Sequence, residues 1–361
     1  MNYNYTNNQL EESKIEVLLN EAKVDFSKEL PEPLAALKVN GELFATLGNI
    51  SLITGKAKSK KTFCVTLAMA AAVGNINTNM FSGQLPSNKN RVLLFDTEQE
   101  RYQVVKVAQR VCKLANIKMP SNFDVYALRG ISTALRSQLI GYKIKKTPDA
   151  GLVVIDGIRD LVTSINSEEE ATYISDWLLQ LTQKEKVHIM TVLHQNKTDD
   201  KARGHLGTEL INKAETTVTV QRHRVDGSDI SIVRPETCRH IEFSPFSFSI
   251  NSEGIPVHYN AEIPQQAACR DAVKPSPEKM DKDKLYLIIE DAMKKADNKL
   301  SYKKMIEQLQ ESIQKVTGQE VGQKKAAAFL KHYTDNGVIK KAGTSGTKAS
   351  YYQLADKKDA V

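Results

Sequence analysis

The segment 51–62, SLITGKAKSKKT, constrains the fold more than any other part of the chain. An apolar run containing Ile50, Leu52 and Ile53 ends at Gly55. Lys61 and Thr62 follow, and Phe63–Ala72 reads as a helix. The segment is therefore strand, tight loop and helix, with a Lys-Thr pair where the helix begins. It fits the phosphate-binding pattern G-x-x-x-x-G-K-[ST] at Gly55, Lys61 and Thr62 and departs from it at Lys60, which stands where the second glycine belongs. Backbone N–H groups at a helix start attract a polyphosphate, so the candidate ligand is ATP, cradled by Gly55, Lys56, Ala57, Lys58, Ser59, Lys60, Lys61, Thr62 and Phe63. Lys61 reaches for the β- and γ-phosphates, and the Thr62 hydroxyl is a candidate ligand for Mg²⁺. Lys60 has to bring the backbone as close to the phosphates as a glycine does, while carrying a Cβ.

Around this segment, from about residue 45 to 250, apolar runs alternate with helical stretches. The predicted strands are Ile50–Thr54, Val92–Asp96, Phe123–Ala127, Leu152–Asp156, Val187–Leu193, Thr216–Gln221, Asp229–Val233 and Glu242–Ile250; the predicted helices are 62–73, 99–116, 131–146, 168–186 and 205–214. Such alternation predicts an α/β domain with a mainly parallel sheet, extended by antiparallel strands where helices become scarce. No repeat of 20–50 residues occurs.

Two more segments carry chemistry. Leu152-Val-Val-Ile-Asp156 is an apolar strand ending in a carboxylate, suited to hold Mg²⁺ beside Thr62; a buried parallel strand that merely ends in Asp is the plain alternative. In Arg91-Val-Leu-Leu-Phe-Asp-Thr-Glu98 the strand ends at Asp96, and Glu98 stands two residues beyond. A carboxylate there can polarise an attacking water; the alternative is an acidic residue favoured by a helix N-terminus.

This order of phosphate loop, strand-D-T-E and carboxylate-terminated strand resembles the RecA-like P-loop ATPases. More narrowly, the loop GKAKSKKT without its second glycine resembles the hexameric plasmid helicases of the RepA type and AAA-type ATPases carried on mobile elements of Bacteroidetes. The resemblance covers residues 35–260. It implies that Glu98 is the catalytic base and that the strand end at His194-Gln195 senses the γ-phosphate, through either residue. It also implies that the basic loop after that strand, with Lys197, Lys201 and Arg203, faces a channel for DNA, a solvated loop being the bland alternative. A basic residue near the late strands would enter a neighbour's site as an arginine finger, with Arg239 ahead of Arg234 and ordinary surface arginines as the alternative. A homo-oligomer follows, a hexameric ring among the forms open to it.

The C-terminal part is separate. Residues 1–34 read as an N-terminal helical segment, 35–262 as the ATPase domain, 263–282 as a polar, Pro-containing linker, and 283–355 as a small second domain. Its three helical stretches, near 285–295, 302–312 and 322–336, precede a hairpin with a Gly/Ser/Thr tip, which is the winged-helix order. Residues 277–361 carry 17 Lys, no Arg and 12 Asp or Glu. Lys324 and Lys325 open the third helix and Lys348 lies in the wing, so phosphate attraction rather than base readout is expected. A protein-docking module with a solvated basic face is the alternative.

The net charge of +7 allows a polyanionic partner. Four cysteines without C-x-x-C spacing speak against a zinc site and for a reduced, cytoplasmic chain. No apolar stretch approaches 18 residues, so no membrane partner is expected. The leading expectation is thus an ATP-driven DNA motor or helicase serving replication or mobilisation of a plasmid or integrated element. The rival is a DNA-binding initiator or regulator that uses ATP for assembly only.

Overall fold

The computed structural model describes residues 11–29, 31–196, 202–225, 227–260, 275–294, 300–317, 321–343 and 350–355. The chain divides into two compact units, residues 1–263 and 264–361.

In the first unit, helix α1 (Glu12–Ala22) buries none of its residues. A hairpin follows, β1 (Ala35–Val39) and β2 (Glu42–Thr46), then β3 (Ile50–Thr54), α2 (Lys61–Gly74), β4 (Phe81–Gly83), β5 (Arg91–Asp96), α3 (Arg101–Ala115), β6 (Phe123–Ala127), α4 (Thr133–Lys145) and β7 (Ala150–Asp156). Next come α5 (Glu168–Glu185), β8 (His188–Val192), α6 (Gly204–Lys213), β9 (Thr216–Val225), β10 (Ser228–Cys238), β11 (Phe246–Ile250) and β12 (Pro256–His258). Nine strands form one sheet in the order β12-β11-β10-β9-β3-β8-β7-β5-β6. The six from β9 to β6 run parallel, and β10, β11 and β12 extend the sheet antiparallel. This is the mainly parallel α/β architecture expected of a RecA-like P-loop domain.

Both faces of the sheet are covered, which is why its strands read as unbroken apolar runs. Along β5, Val92 and Leu94 face a core shared with α2 and α3, while Leu93 and Phe95 face α4, α5 and α6. Helix α2 is buried almost all round. It is sandwiched between the large sheet and a small sheet ordered β2-β1-β4, whose Phe44 and Phe81 meet edge to face.

Four strands of the first unit escaped the sequence reading, namely β1, β2, β4 and β12. The predicted strand 242–250 starts only at Phe246, because Pro245 has no N–H to donate to a ladder. The predicted strands 216–221 and 229–233 are the cores of a longer hairpin. Arg222 and Arg224 lie within β9, and Arg234 lies within β10. A register shift between Pro235 and Thr237 lets β10 continue past a proline.

The second unit runs α7 (Lys282–Lys294), β13 (Leu300–Ser301), α8 (Tyr302–Thr317), α9 (Gln323–Asp335), β14 (Ile339–Gly343) and β15 (Ser350–Leu354), with strand order β13-β15-β14. Ile288, Met305, Leu309, Ile313 and Phe329 fill its own core. The Tyr333 hydroxyl donates to the Leu285 carbonyl at 2.7 Å. Pro275 and Pro277 are buried in the same unit, so packed structure begins before the helix that opens at Lys282.

The small sheet is tied to the large one by a buried carboxylate at the foot of the strands. Glu215, 2% exposed, accepts from the Thr46 amide at 2.9 Å, the Thr46 hydroxyl at 2.6 Å and His240 Nε2 at 2.9 Å. His188 donates from Nδ1 to the Thr46 carbonyl and accepts at Nε2 from Ser51 Oγ. Burial, as its main cause, holds this histidine's pKa below the ordinary value. Replacing Glu215 with Ala strands a buried hydroxyl and amide, so we expect a loss of about 3 kcal/mol in urea unfolding. A loss under about 0.5 kcal/mol would show that the two sheets hold together without it.

Candidate functional site

Lys61, Thr62, Glu98, Asp156 and His194 sit at or just beyond the carboxyl ends of parallel strands, where open α/β sheets bind ligands. The loop between β3 and α2 brings Gly55 to Thr62. Gly55 has φ +152°, and a Cβ there would lie 2.4 Å from the Val220 carbonyl oxygen and 2.6 Å from Ser59 Oγ. Only glycine fits. Lys58 and Lys60 are left-handed, at φ 65° and 71°. Lys60 thus keeps a glycine-like backbone shape despite its side chain, at about 1–2 kcal/mol. Its ammonium is drawn to the β9–β10 hairpin, pairing with Asp229 Oδ2 at 3.0 Å and donating to the Asp229 carbonyl at 3.1 Å.

Lys61 is buried at 6% exposure. Its ammonium donates to the carbonyls of Gly55 (2.9 Å) and Lys56 (3.0 Å) and to His194 Nδ1 (3.0 Å). An ammonium only donates, so Nδ1 accepts and the ring proton sits on Nε2. That nitrogen lies 3.5 Å from Glu98 Oε2. Burial brings the Lys61 pKa down to about 8, opposed by Asp156 and Glu98. The Thr62 hydroxyl donates to Asp156 Oδ2 at 2.9 Å. Burial first, then the neighbouring Asp96, pushes the Asp156 carboxyl up to about 7. The hydrogen bond from His194 holds Glu98 below the usual range.

The structure therefore brings Lys61, Thr62, Asp156, Glu98 and His194 together from four segments of sequence. With Lys58, Lys60, Phe63, Gln103 and Arg110 they line a cleft of about 320 Å³. A glycine after β7 makes room for Glu98: at Gly157 (φ +101°) a Cβ would sit 2.3 Å from Thr97 Oγ1 and 2.7 Å from Glu98 Cγ. Asp96 serves another purpose. It accepts from the amides of Glu98 (3.0 Å) and Gln99 (2.7 Å) and from Gln99 Nε2 (2.6 Å), shaping the turn that carries Glu98.

A hydroxyl and a carboxylate converging at Thr62 and Asp156 are hard oxygen donors, which fit Mg²⁺. Among the described residues no cluster of three His, Cys, Asp or Glu could cage a metal. The pair therefore suits an ion that takes its remaining ligands from phosphates and water.

Other sequence candidates lie apart from this cleft. Gln195 turns its amide towards the Thr54 and Thr219 hydroxyls, each at 3.4 Å, beneath a second cavity of about 420 Å³ between the phosphate loop and β9. Of the pair His194 and Gln195, His194 is the one that meets Lys61 and Glu98. Arg239 lies at the opposite end of the sheet from its own phosphate loop and donates to the Lys213 carbonyl at 2.9 Å. Arg234 lies opposite Thr219 in the β9–β10 ladder. Arg203 stands at the position just before α6, where its side chain makes no capping hydrogen bond. Lys324 and Lys325 open α9 in the second unit. Lys197, Lys201 and Lys348 lie outside the described residues. A groove of about 870 Å³ between α3 and the edge strand β6 is mainly apolar and holds none of these groups.

Sequence reasoning missed two neighbours of the site. Arg110 on α3 stacks its guanidinium 4.2 Å from the centre of the Phe63 ring and donates to the Gly254 carbonyl at 2.8 Å, closing one end of the cleft. Asp229 holds Lys60. Neither has a local signal, since each acts across a contact between distant segments.

A family model described as an AAA domain matches residues 15–200, just over half of the chain. No curated protein matches it.

Three carboxylates, Asp96, Asp156 and Glu98, lie near one another at the strand ends, and the charges of Asp96 and Glu98 both help to push the Asp156 carboxyl up. Asp156→Asn keeps an acceptor for Thr62 and removes the carboxylate whose pKa burial and its neighbours push up to about 7. We expect it to raise the melting temperature of the nucleotide-free protein at pH 8 by a few degrees, about 1–2 kcal/mol. A fall in melting temperature would mean that the carboxylate stabilises the fold rather than straining it.

Proposed function

We propose that this chain, which belongs to the AAA-domain family, is an ATP-hydrolysing motor that works on DNA. The coarse part, a nucleotide-binding P-loop ATPase, follows from the family. The single observation that carries the catalytic reading is the convergence of Lys61, Thr62, Asp156, Glu98 and His194 in one cleft.

Each residue has a definite task in that reading. Lys61 now spends its ammonium on two loop carbonyls and His194; triphosphate oxygens are stronger, charged acceptors for the same donor. Thr62 and Asp156 would hold Mg²⁺, which when bound neutralises charge between the β- and γ-phosphates. Glu98, kept ionised by His194, accepts a proton from the attacking water. His194 links Lys61 and Glu98, so departure of the Lys61 ammonium to a phosphate is felt at the base.

The DNA part rests on the second unit and on the segment after β8. Three helices and a two-stranded wing, an excess of lysine without arginine, and Lys324 and Lys325 at the start of α9 support a winged helix that grips phosphates with little base readout. By sequence, Lys197, Lys201 and Arg203 make the segment after β8 a further basic stretch. An oligomer, with an arginine from β10 or its end reaching a neighbour, completes the motor as proposed. Its role is replication or mobilisation of a genetic element. Among the described residues no helix is long and apolar enough to cross a membrane.

Lys61→Ala is expected to weaken ATP binding by at least about 100-fold in fluorescent-nucleotide titration; unchanged affinity would remove the phosphate-loop assignment. Glu98→Gln should bind ATP like the parent and hydrolyse it at least about 100-fold more slowly. Turnover by the parent should rise with single- or double-stranded DNA. Binding of ATP and DNA without steady turnover would instead identify an initiator that uses ATP for assembly.

A further inference from the structure

The departure of the phosphate loop from its glycine pattern has a partner elsewhere in the fold. Hairpin β9–β10 overshoots the sheet: β9 pairs with β3 only as far as Thr54 opposite Thr219, then continues to Val225 beside the loop. Two contacts reach across from β10. Ser231 Oγ donates to the Ser59 carbonyl at 3.1 Å. Asp229 takes the Lys60 ammonium on both its carboxylate and its carbonyl, at 3.0 and 3.1 Å. Asp229 is in turn held by Arg222 Nε at 2.6 Å from the paired strand.

We propose that Lys60 is a positioning residue, strapped by Asp229 to the β9–β10 hairpin, and that this strap holds the phosphate loop in the shape a second glycine would otherwise allow. The inference rests on the nucleotide-binding reading of this loop. A left-handed lysine is disfavoured by its own backbone; the pair with Asp229 selects the conformation and turns the ammonium away from Lys61. A glycine at this position needs no such partner, because it adopts φ +71° freely. The strap also makes the hairpin part of the nucleotide site. Arg222 and Asp229 are each about one-third to one-half exposed, at 48% and 34% of their side chains. Whatever engages them from outside therefore acts on the loop.

The test is a double-mutant cycle in the full-length protein, read by fluorescent-ATP affinity and by melting temperature. In the parent, Asp229→Ala should weaken nucleotide binding by about five- to tenfold. In a Lys60→Gly background the same substitution should change affinity by less than about twofold. The melting temperatures should show the same dependence of one site on the other. Equal losses in both backgrounds, or no loss in the parent, would overturn the strap. Should Asp229→Ala fail to fold, Asp229→Asn, which removes only the charge, is read in the same cycle against the same outcomes. A parent that binds no nucleotide would sink the nucleotide reading instead; the strap would then stand or fall on whether the two substitutions couple in melting temperature.

Discussion

A buried ammonium organises the centre of this molecule. Lys61 cannot stay charged in its cleft without donors' partners on all sides, and the surrounding fold supplies them. Two are carbonyls of the loop's own turn, one is His194, and the balancing charges are Asp156 and Glu98. Together the partners come from four parallel strands, or the loops after them: both carbonyls follow β3, His194 follows β8, Asp156 ends β7 and Glu98 follows β5. The sheet order β3-β8-β7-β5 places those strand ends side by side, and the burial of both faces fixes their register. The cleft is thus a consequence of the sheet: move one strand and a charge is left unpaired.

The parallel strands were legible in sequence because burial on both faces leaves continuous apolar runs. The predicted boundaries at Ile50–Thr54 and Phe123–Ala127 match the structure, and those of the strands ending at Asp96 and Asp156 differ only at their starts. The small sheet was not legible in the same way, since AALKV and ELFAT are short and mix polar with apolar residues. A signal was present: Asn40-Gly41 is a two-residue hairpin turn, and both residues have positive φ, 51° and 89°. The long β9–β10 hairpin was underestimated because its outer half is polar and half-exposed, so it lacks the apolar run that marked its inner half.

The candidate site divides along similar lines. Lys61, Thr62, Glu98, Asp156 and His194 each stand at a strand end or helix start, where sequence pattern and chemistry coincide. Arg110 and Asp229 have no such marker. Their parts depend on α3 closing against Phe63 and on a hairpin passing beside the loop, contacts that join segments far apart in sequence. The sequence reading met Lys60 as a missing glycine; the structure presents the same residue as one half of a pair. A residue that breaks a local backbone rule acquires meaning only with its long-range partner in view.

Gly157 does no chemistry, yet it decides whether Glu98 can occupy its place. A single methyl group there would meet the Glu98 side chain and the Thr97 hydroxyl at distances no neighbour tolerates. Removing the carboxylate at 98 would not free position 157, because the Thr97 hydroxyl lies nearer still and the left-handed backbone itself disfavours a side chain. Three demands, from Thr97, from Glu98 and from the turn of the chain itself, thus meet at one hydrogen atom, and a lineage that kept this turn would keep glycine there whatever it did at 98.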